Sequence, residues 1–151
     1  MHPRIGAPAP DFELSSQYGE RIRLSAYRGR SVALVFFPLA FSATCTTELC
    51  ELRDNLGLFQ VSGVELLGIS VDSKASLRAW GDRERLHFRL LADFWPHGAV
   101  AQAYGCFDEQ RGCSRRGTYV IDRDGVVRWC VVNAIPDGRD HEEYRRVLEG
   151  L

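Results

Sequence analysis

The sequence predicts an α/β fold: a central mixed β-sheet flanked by helices, entered through an N-terminal β-hairpin. Two largely apolar runs, at residues 32–37 and 64–71, are each followed by a stretch with helical periodicity. Near the C-terminal end, two apolar runs flank Asp122, Arg123, Asp124 and Gly125, a strong turn signal, and a last amphipathic stretch follows. Strand–helix–strand units demand parallel pairing with a crossover, whereas the hairpin is antiparallel. One sheet that holds both is mixed and needs helices on both faces.

Each element has its own reason. Residues 1–10 carry Pro3, Gly6, Pro8 and Pro10, which predicts an extended arm rather than a helix. Phe12 and Leu14, then Ile22 and Leu24, alternate with polar neighbours around Gln17, Tyr18 and Gly19, the pattern of a short hairpin. Residues 25–30 read as a turn or a single helical turn. The run at 32–37 has no polar side chain, as expected of a central strand buried on both faces. Beyond Pro38, a helix beginning at Cys45 carries an inward stripe of Cys45, Leu49, Leu52, Leu56 and Phe59. On a 3.6-residue wheel these positions fall within about 40° of Cys45 on either side, with Cys50 about 140° from Cys45.

Residues 64–71 form the next strand and 73–85 a helix with Leu77 and Trp80 inward. A short strand is expected at 88–91 and a helix at 95–104 anchored by Val100 and Tyr104. Residues 117–121 and 126–132 make the antiparallel hairpin, with Cys130 packing on a strand face, and 141–148 a closing helix with Tyr144, Val147 and Leu148 apolar. This order of elements is the thioredoxin-like arrangement.

The 151 residues suit one domain over 1–151 with a single substantial core. A composition of 45% apolar and 26% charged residues is that of a soluble globular protein. A net charge of -1 argues against a general nucleic-acid surface. The first residues contain no long apolar run, so neither a signal peptide nor a membrane span is expected. Five cysteines, an odd number without even spacing, fit a reducing, cytoplasmic setting better than a disulfide scaffold.

The chemistry centres on Cys45. A sulfur on the first turn of a helix lies near unsatisfied backbone N–H groups, which favour negative charge and can hold an oxyanion. Ser42 or Thr44 can add a hydroxyl, Pro38 ends the strand and walls off water, and Arg115 or Arg116 can bring a cation. Each has a plainer alternative. Cys45 is also in phase with a core stripe, and adjacent arginines at a strand mouth are often a solvated rim.

Cys50 is either an incidental thiol or a second redox group. Five helical residues separate the two Cα atoms by about 8.6 Å, beyond the roughly 4.4–6.8 Å of a disulfide. Pairing them therefore requires the start of the helix to unwind. Cys106 and Cys113 are alternates in a loop-rich stretch. The pair Cys45 and Cys50 lacks the two-residue spacing of a redox or zinc motif, no histidine at ligand spacing accompanies it, and neither His87 nor His97 sits in a motif that aims it at the sulfur; His97 reads instead as a cap or packing group. No glycine-rich phosphate loop is present.

Pro38, Ser42 and Cys45 resemble the active-site motif of the peroxiredoxins: proline, three residues, threonine or serine, two residues, cysteine. The similarity extends through Ala9, Pro10, Asp11 and Phe12, the stretch 36–41, Leu52, Arg53 and Asp54, the stretch 93–100, Tyr104 and Gly105, and the stretch 116–122. The segment 94–98 most resembles the actinobacterial AhpE-like (alkyl hydroperoxide reductase E) subgroup.

The resemblance implies a thiol peroxidase without metal, haem or flavin, acting on hydrogen peroxide, organic hydroperoxides and often peroxynitrite. It implies a peroxidatic Cys45, with Ser42 and Arg116 around the peroxide, Pro38 shielding the pocket and Glu48 positioning the network. Its reductants would be mycothiol with mycoredoxin, or a thioredoxin-like protein. It also implies a homodimer across the active-site loop and the Trp95 region. Serine at 42 stands where threonine is more frequent. Cys50 is similar to the resolving cysteine of the bacterioferritin-comigratory subgroup, which many AhpE-like chains lack. The alternative function is a redox sensor or chaperone-like binding protein, in which Cys45 oxidation alters a dimer surface.

Overall fold

A computed structural model describes residues 3–133 and 141–149. The first hairpin pairs β1 (Glu13–Ser16) with β2 (Arg21–Arg23), and a single 3-10 turn spans Leu24–Tyr27. There follow β3 (Ser31–Phe36), α1 (Ala43–Asp54), α2 (Leu56–Val61), β4 (Val64–Ser70), α3 (Lys74–Glu84) and β5 (Arg89–Ala92). Next come α4 (Ala99–Ala103), the two-residue strands β6 (Phe107–Asp108) and β7 (Cys113–Ser114), β8 (Arg116–Ile121), β9 (Val127–Asn133) and α5 (His141–Glu149). The main sheet runs β2-β1-β5-β4-β3-β8-β9. Within it β3 is parallel to β4 and antiparallel to β8, and β4 is parallel to β5. This is the thioredoxin-like fold that the order of elements predicts.

Period-two alternation in β3 divides the core. Val32, Leu34 and Phe36 face one cluster with Tyr104, Tyr119, Val100 and Ala101 of the α4 side. Ala33, Val35 and Phe37 face the other, which holds Cys45, Leu49 and Leu52 of α1, Leu77 and Trp80 of α3, and Leu148 of α5. Each cluster is apolar and close-packed, so β3 is fixed from both sides. The end of β3 is therefore a rigid place from which to launch a functional loop. Gly68 on β4 assists: a Cβ there would sit 3.0 Å from Leu90 Cδ2 and 3.3 Å from Phe37 Cε1, so the bare backbone makes room for Phe37.

Three elements differ from the sequence expectation. The helix expected at 95–104 starts only at Ala99, because Asp93 accepts hydrogen bonds from the N–H groups of Val100 and Ala101, at 3.0 and 2.9 Å, and sets the first turn there. Gly98 precedes that turn in the left-handed region, φ +68°, which a proline-led helix start at Trp95 and Pro96 does not permit. The long helix after Cys45 breaks at Asn55, whose N–H reaches back to both Glu51 and Leu52 carbonyls, but its stripe persists in buried Phe59. The supposed loop between Tyr104 and Gly117 contains the small hairpin β6–β7.

The N-terminal arm is tied down as expected: Gly6 N–H donates to Val127 O at 2.7 Å and Ala9 N–H to Gly125 O at 2.9 Å. Met1 and His2 of that arm lie outside the described residues. In α5 Leu148 is buried and Val147 half-buried, while the side chain of Tyr144 lies outside the described set. Among the described residues, no helix is long and apolar enough to cross a membrane.

Candidate active site

The sheet lets go of the chain at Pro38. Phe37 N–H still donates to Ile69 O at 3.0 Å, and Pro38, with no N–H, cannot continue the ladder. The loop that follows is held from β4's end: Asp72 Oδ2 accepts from Ala40 N–H at 2.8 Å and from Ser70 Oγ at 2.6 Å. Phe41 then adopts φ +67°, a left-handed conformation that a bulky residue rarely takes. Its ring is held by α3, 6.4 Å from the Trp80 ring and 5.0 Å from the Arg83 guanidinium carbon. Sequence reading gave no hint of Asp72 or of this conformation.

Ser42 caps α1, so the helix begins two residues before Cys45. Its backbone is extended, its Oγ accepts from Cys45 N–H at 3.4 Å, and its hydroxyl donates to Leu39 O at 3.0 Å. Cys45 is thus the third helical residue, and its N–H and the Ser42 hydroxyl already engage one another. Thr44 is exposed and Pro38 is buried.

Two arginines were possible cations, and the structure separates them. Arg115 is half-buried and turns toward the β6–β7 hairpin, its Nη1 donating to Phe107 O at 3.4 Å. Arg116 opens β8, is only 2% exposed, and donates from Nη1 to Cys45 Sγ at 3.3 Å and to Glu48 Oε1 at 2.5 Å. Glu48 lies one helical turn beyond Cys45, which brings carboxylate and sulfur to the same guanidinium. Cys45 itself is 0% exposed and Glu48 4%. The guanidinium thus stands beside the sulfur where charge developing on an attacked oxygen can be met, while the carboxylate limits the cost of burying it.

The remaining cysteines occupy different settings, and all five are free thiols. Cys50 is half-buried against α3, its thiol 3.8 Å from Glu84 Oε2; burial pushes its ionisation up, and the Glu84 carboxylate adds to this against the pull of Arg53. Cys113 is buried on β7, and burial, then the Asp108 carboxylate, push its thiol up against the pull of Arg111. Cys106 is buried beneath Gly117 and Tyr119. Cys130 is half-buried against the α4-side cluster, and burial raises its thiol too.

His87 is exposed; His97 is exposed and donates from Nε2 to Gly112 O at 2.6 Å, tying the 94–98 turn to the β6–β7 hairpin. Among the described residues, no three His, Cys, Asp or Glu side chains converge as on a metal ion. An open cleft of about 640 Å³ lies at the opposite end of β3, between Ser31, Arg123, Arg128 and Trp129, away from the sulfur.

The family described as AhpC/TSA matches residues 5–130. Alkyl hydroperoxide reductase E of Mycobacterium tuberculosis is 44% identical over 148 residues, covering 97% of this chain and 97% of that protein. Among solved structures, AhpC of Enterococcus faecalis superposes with a TM-score of 0.91 at 27% identity, covering 99% of this chain and 92% of that one. Reduced 2-Cys peroxiredoxin of Plasmodium vivax does so with a TM-score of 0.88 at 29% identity, covering 96% and 80%.

Proposed function

The chain belongs to the AhpC/TSA family, the peroxiredoxins, and is a thiol-dependent peroxidase; on that premise we propose that Cys45 is the sulfur that peroxide oxidises. The observation that carries this reading is the Arg116 guanidinium, 3.3 Å from Cys45 Sγ inside the core. The sulfur attacks one oxygen of the O–O bond, and the other leaves as hydroxide or alkoxide. Charge thus moves from sulfur to the leaving oxygen, and a fixed cation that spans both positions stabilises the transition state more than the ground state. Arg116 fills that role and Glu48 positions it. Ser42, which already sits at the cap, offers its hydroxyl once peroxide displaces the Leu39 carbonyl. Pro38 closes one wall.

Cys45 carries no accessible surface, so peroxide reaches it when the 38–42 loop or the first turn of α1 moves. The resulting sulfenic acid condenses with Cys50 after the start of α1 unwinds, or with an external thiol. The overall similarity to alkyl hydroperoxide reductase E supports an AhpE-like subgroup, with mycothiol and mycoredoxin or a thioredoxin-like protein as reductant. The chain acts as one domain in the cytoplasm. Leu39, Phe41, Phe94 and Trp95 are exposed, Trp95 by 81%, and this apolar surface beside the loop supports a homodimer there. Hydrogen peroxide and organic hydroperoxides are the substrates, with peroxynitrite a further one.

Single-turnover kinetics with hydrogen peroxide tests the assignment. Cys45→Ser should abolish rapid consumption, whereas a Cys45→Ser protein that still reduces peroxide at the wild-type rate overturns it.

A further inference from the structure

The chain changes sheets at Arg115. Cys113 and Ser114 form β7 and pair with β6, whereas Arg116 is the first residue of β8 in the main sheet. The backbone at this corner is held closely: Arg115 N–H donates to Cys106 O at 2.6 Å, and Gly117 N–H turns back to Arg115 O at 3.0 Å. Both bonds stay within residues 106–117, so neither fixes the corner against β3. The Ser114 hydroxyl does, by donating to Phe37 O at 2.9 Å across 77 residues of chain.

Burial gives that bond its weight. Ser114 is 1% exposed and Phe37 0%, and a buried carbonyl stripped of its donor is left without water to replace it. Phe37 is also the last residue held by the ladder to β4, its N–H engaged by Ile69 O, and Pro38 after it has no N–H to offer. One hydrogen bond therefore joins two points: where the chain leaves β3 for the loop to Cys45, and where it enters β8 with Arg116. Past Arg116 the ladder takes over, with Val35 opposite Thr118. Arg116 is thus bracketed by a ladder pair two residues after it and by the Ser114 hydroxyl two residues before it.

The two ends of Arg116 have different supports. Glu48 holds the guanidinium from α1, while the 3.3 Å from Nη1 to Cys45 Sγ also depends on where the backbone of residue 116 stands. We propose that Ser114 is a positioning residue for peroxide reduction. Its hydroxyl fixes the mouth of β8 against the end of β3, and so sets the backbone from which Arg116 reaches Cys45. This inference rests on the reading of Arg116 as the cation that meets the charge on the leaving oxygen.

Ser114→Ala removes the donor with little change of volume. Tyr119→Phe is its control, because the Tyr119 hydroxyl donates to Tyr104 O at 2.7 Å, is as deeply buried on the same β8, and faces the cluster away from Cys45. Both proteins should lose a similar amount of stability in urea. In single turnover with hydrogen peroxide, Ser114→Ala should oxidise Cys45 about tenfold more slowly, within the roughly hundredfold that a 1 Å misplacement can cost, and Tyr119→Phe should stay within about twofold of wild type. Added to the protein carrying Arg116→Met and Glu48→Gln, Ser114→Ala should slow oxidation by less than about twofold, because no guanidinium is left to position. The Arg116 Nε–H resonance, assigned by its absence from that double variant, should shift in Ser114→Ala and hold in Tyr119→Phe.

Oxidation by Ser114→Ala within about twofold of wild type overturns the anchor alone, as does an Arg116 resonance that does not move. So does an equal slowing in Tyr119→Phe or in the triple variant, since either marks a general loosening of β8 rather than a displaced guanidinium. A protein with Arg116→Met and Glu48→Gln that oxidises as fast as Glu48→Gln overturns the reading of Arg116 and the anchor with it.

Discussion

Replacing Arg116 tests the site most directly, provided that its partner is changed as well. Opposite unit charges 3.3 Å apart, the Nη1–Sγ separation, attract by about 5 kcal/mol at an effective dielectric near 20. Part of that field is spent on Glu48, so the useful share is smaller. Loss of one fixed donor to a developing oxyanion raises the barrier by about 2.7–4 kcal/mol, a factor of roughly 10²–10³. Arg116→Met alone would also strand a buried carboxylate, a destabilisation of about 3–5 kcal/mol that confuses folding with chemistry. The informative protein is therefore Arg116→Met with Glu48→Gln, compared with Glu48→Gln alone. Stopped-flow single turnover should show the double variant about 10²–10³ slower than Glu48→Gln toward hydrogen peroxide, with alkylation of Cys45 by iodoacetamide at neutral pH also slowed. Urea unfolding of both proteins controls for stability. A double variant within about threefold of Glu48→Gln, less than ~0.7 kcal/mol, would refute the claim that this guanidinium drives O–O cleavage.

Cys50→Ser should keep the first turnover and stall as sulfenic acid trappable by dimedone; normal recycling without an external thiol would count against Cys50 as resolver. Because burial and Glu84 push the Cys50 thiol up, it is protonated at neutral pH and its thiolate appears only as pH rises. Alkylation of Cys50 in Cys45→Ser, followed by peptide mapping, should therefore titrate with a midpoint above the usual ~8.5, and Glu84→Gln should lower that midpoint. Asp72→Ala deprives the Ala40 amide and the Ser70 hydroxyl of their acceptor, with an expected stability loss of about 1–3 kcal/mol in urea. It should slow peroxide turnover as the loop loosens, whereas Asp72→Asn, which keeps an acceptor oxygen, should retain most of both. Gly98→Ala drives a Cβ into the Phe107 ring on a backbone with φ +68°, so the urea midpoint should fall by the equivalent of more than ~1 kcal/mol.

What could be read in the chain, and what could not, follows from how far apart the interacting residues lie. The strands at 32–37 and 64–71 are legible because a strand buried on both faces leaves a largely apolar run, unbroken at 32–37 and interrupted at 64–71 only by Glu65 and Ser70. The start of α1 is nearly legible, since Ser42 precedes Cys45 by the spacing of a cap, but the apolar stripe that marks the helix begins only at Cys45. The α4 region was misplaced because Pro96 looks like a helix-opening proline, while the side chain that sets the start, Asp93, belongs to the preceding strand end. Asp72 on Ala40, Trp80 on Thr46 and Arg116 on Cys45 join positions 32, 34 and 71 residues apart, and no local pattern encodes such pairs.

The arginine was nonetheless recoverable from topology. β3 and β8 are antiparallel with Val35 opposite Thr118, and that register, carried two residues further along both strands, sets Arg116 opposite Phe37. The residue after Phe37 is Pro38, where the chain leaves the sheet for the loop that delivers Cys45. Ser114, two residues before Arg116, confirms the alignment by donating its hydroxyl to Phe37 O at 2.9 Å. The guanidinium therefore meets the sulfur because the antiparallel neighbour of β3 begins where β3 ends. A one-residue slip of β8 would turn Arg116 to the opposite face of the sheet and leave Cys45 without its cation.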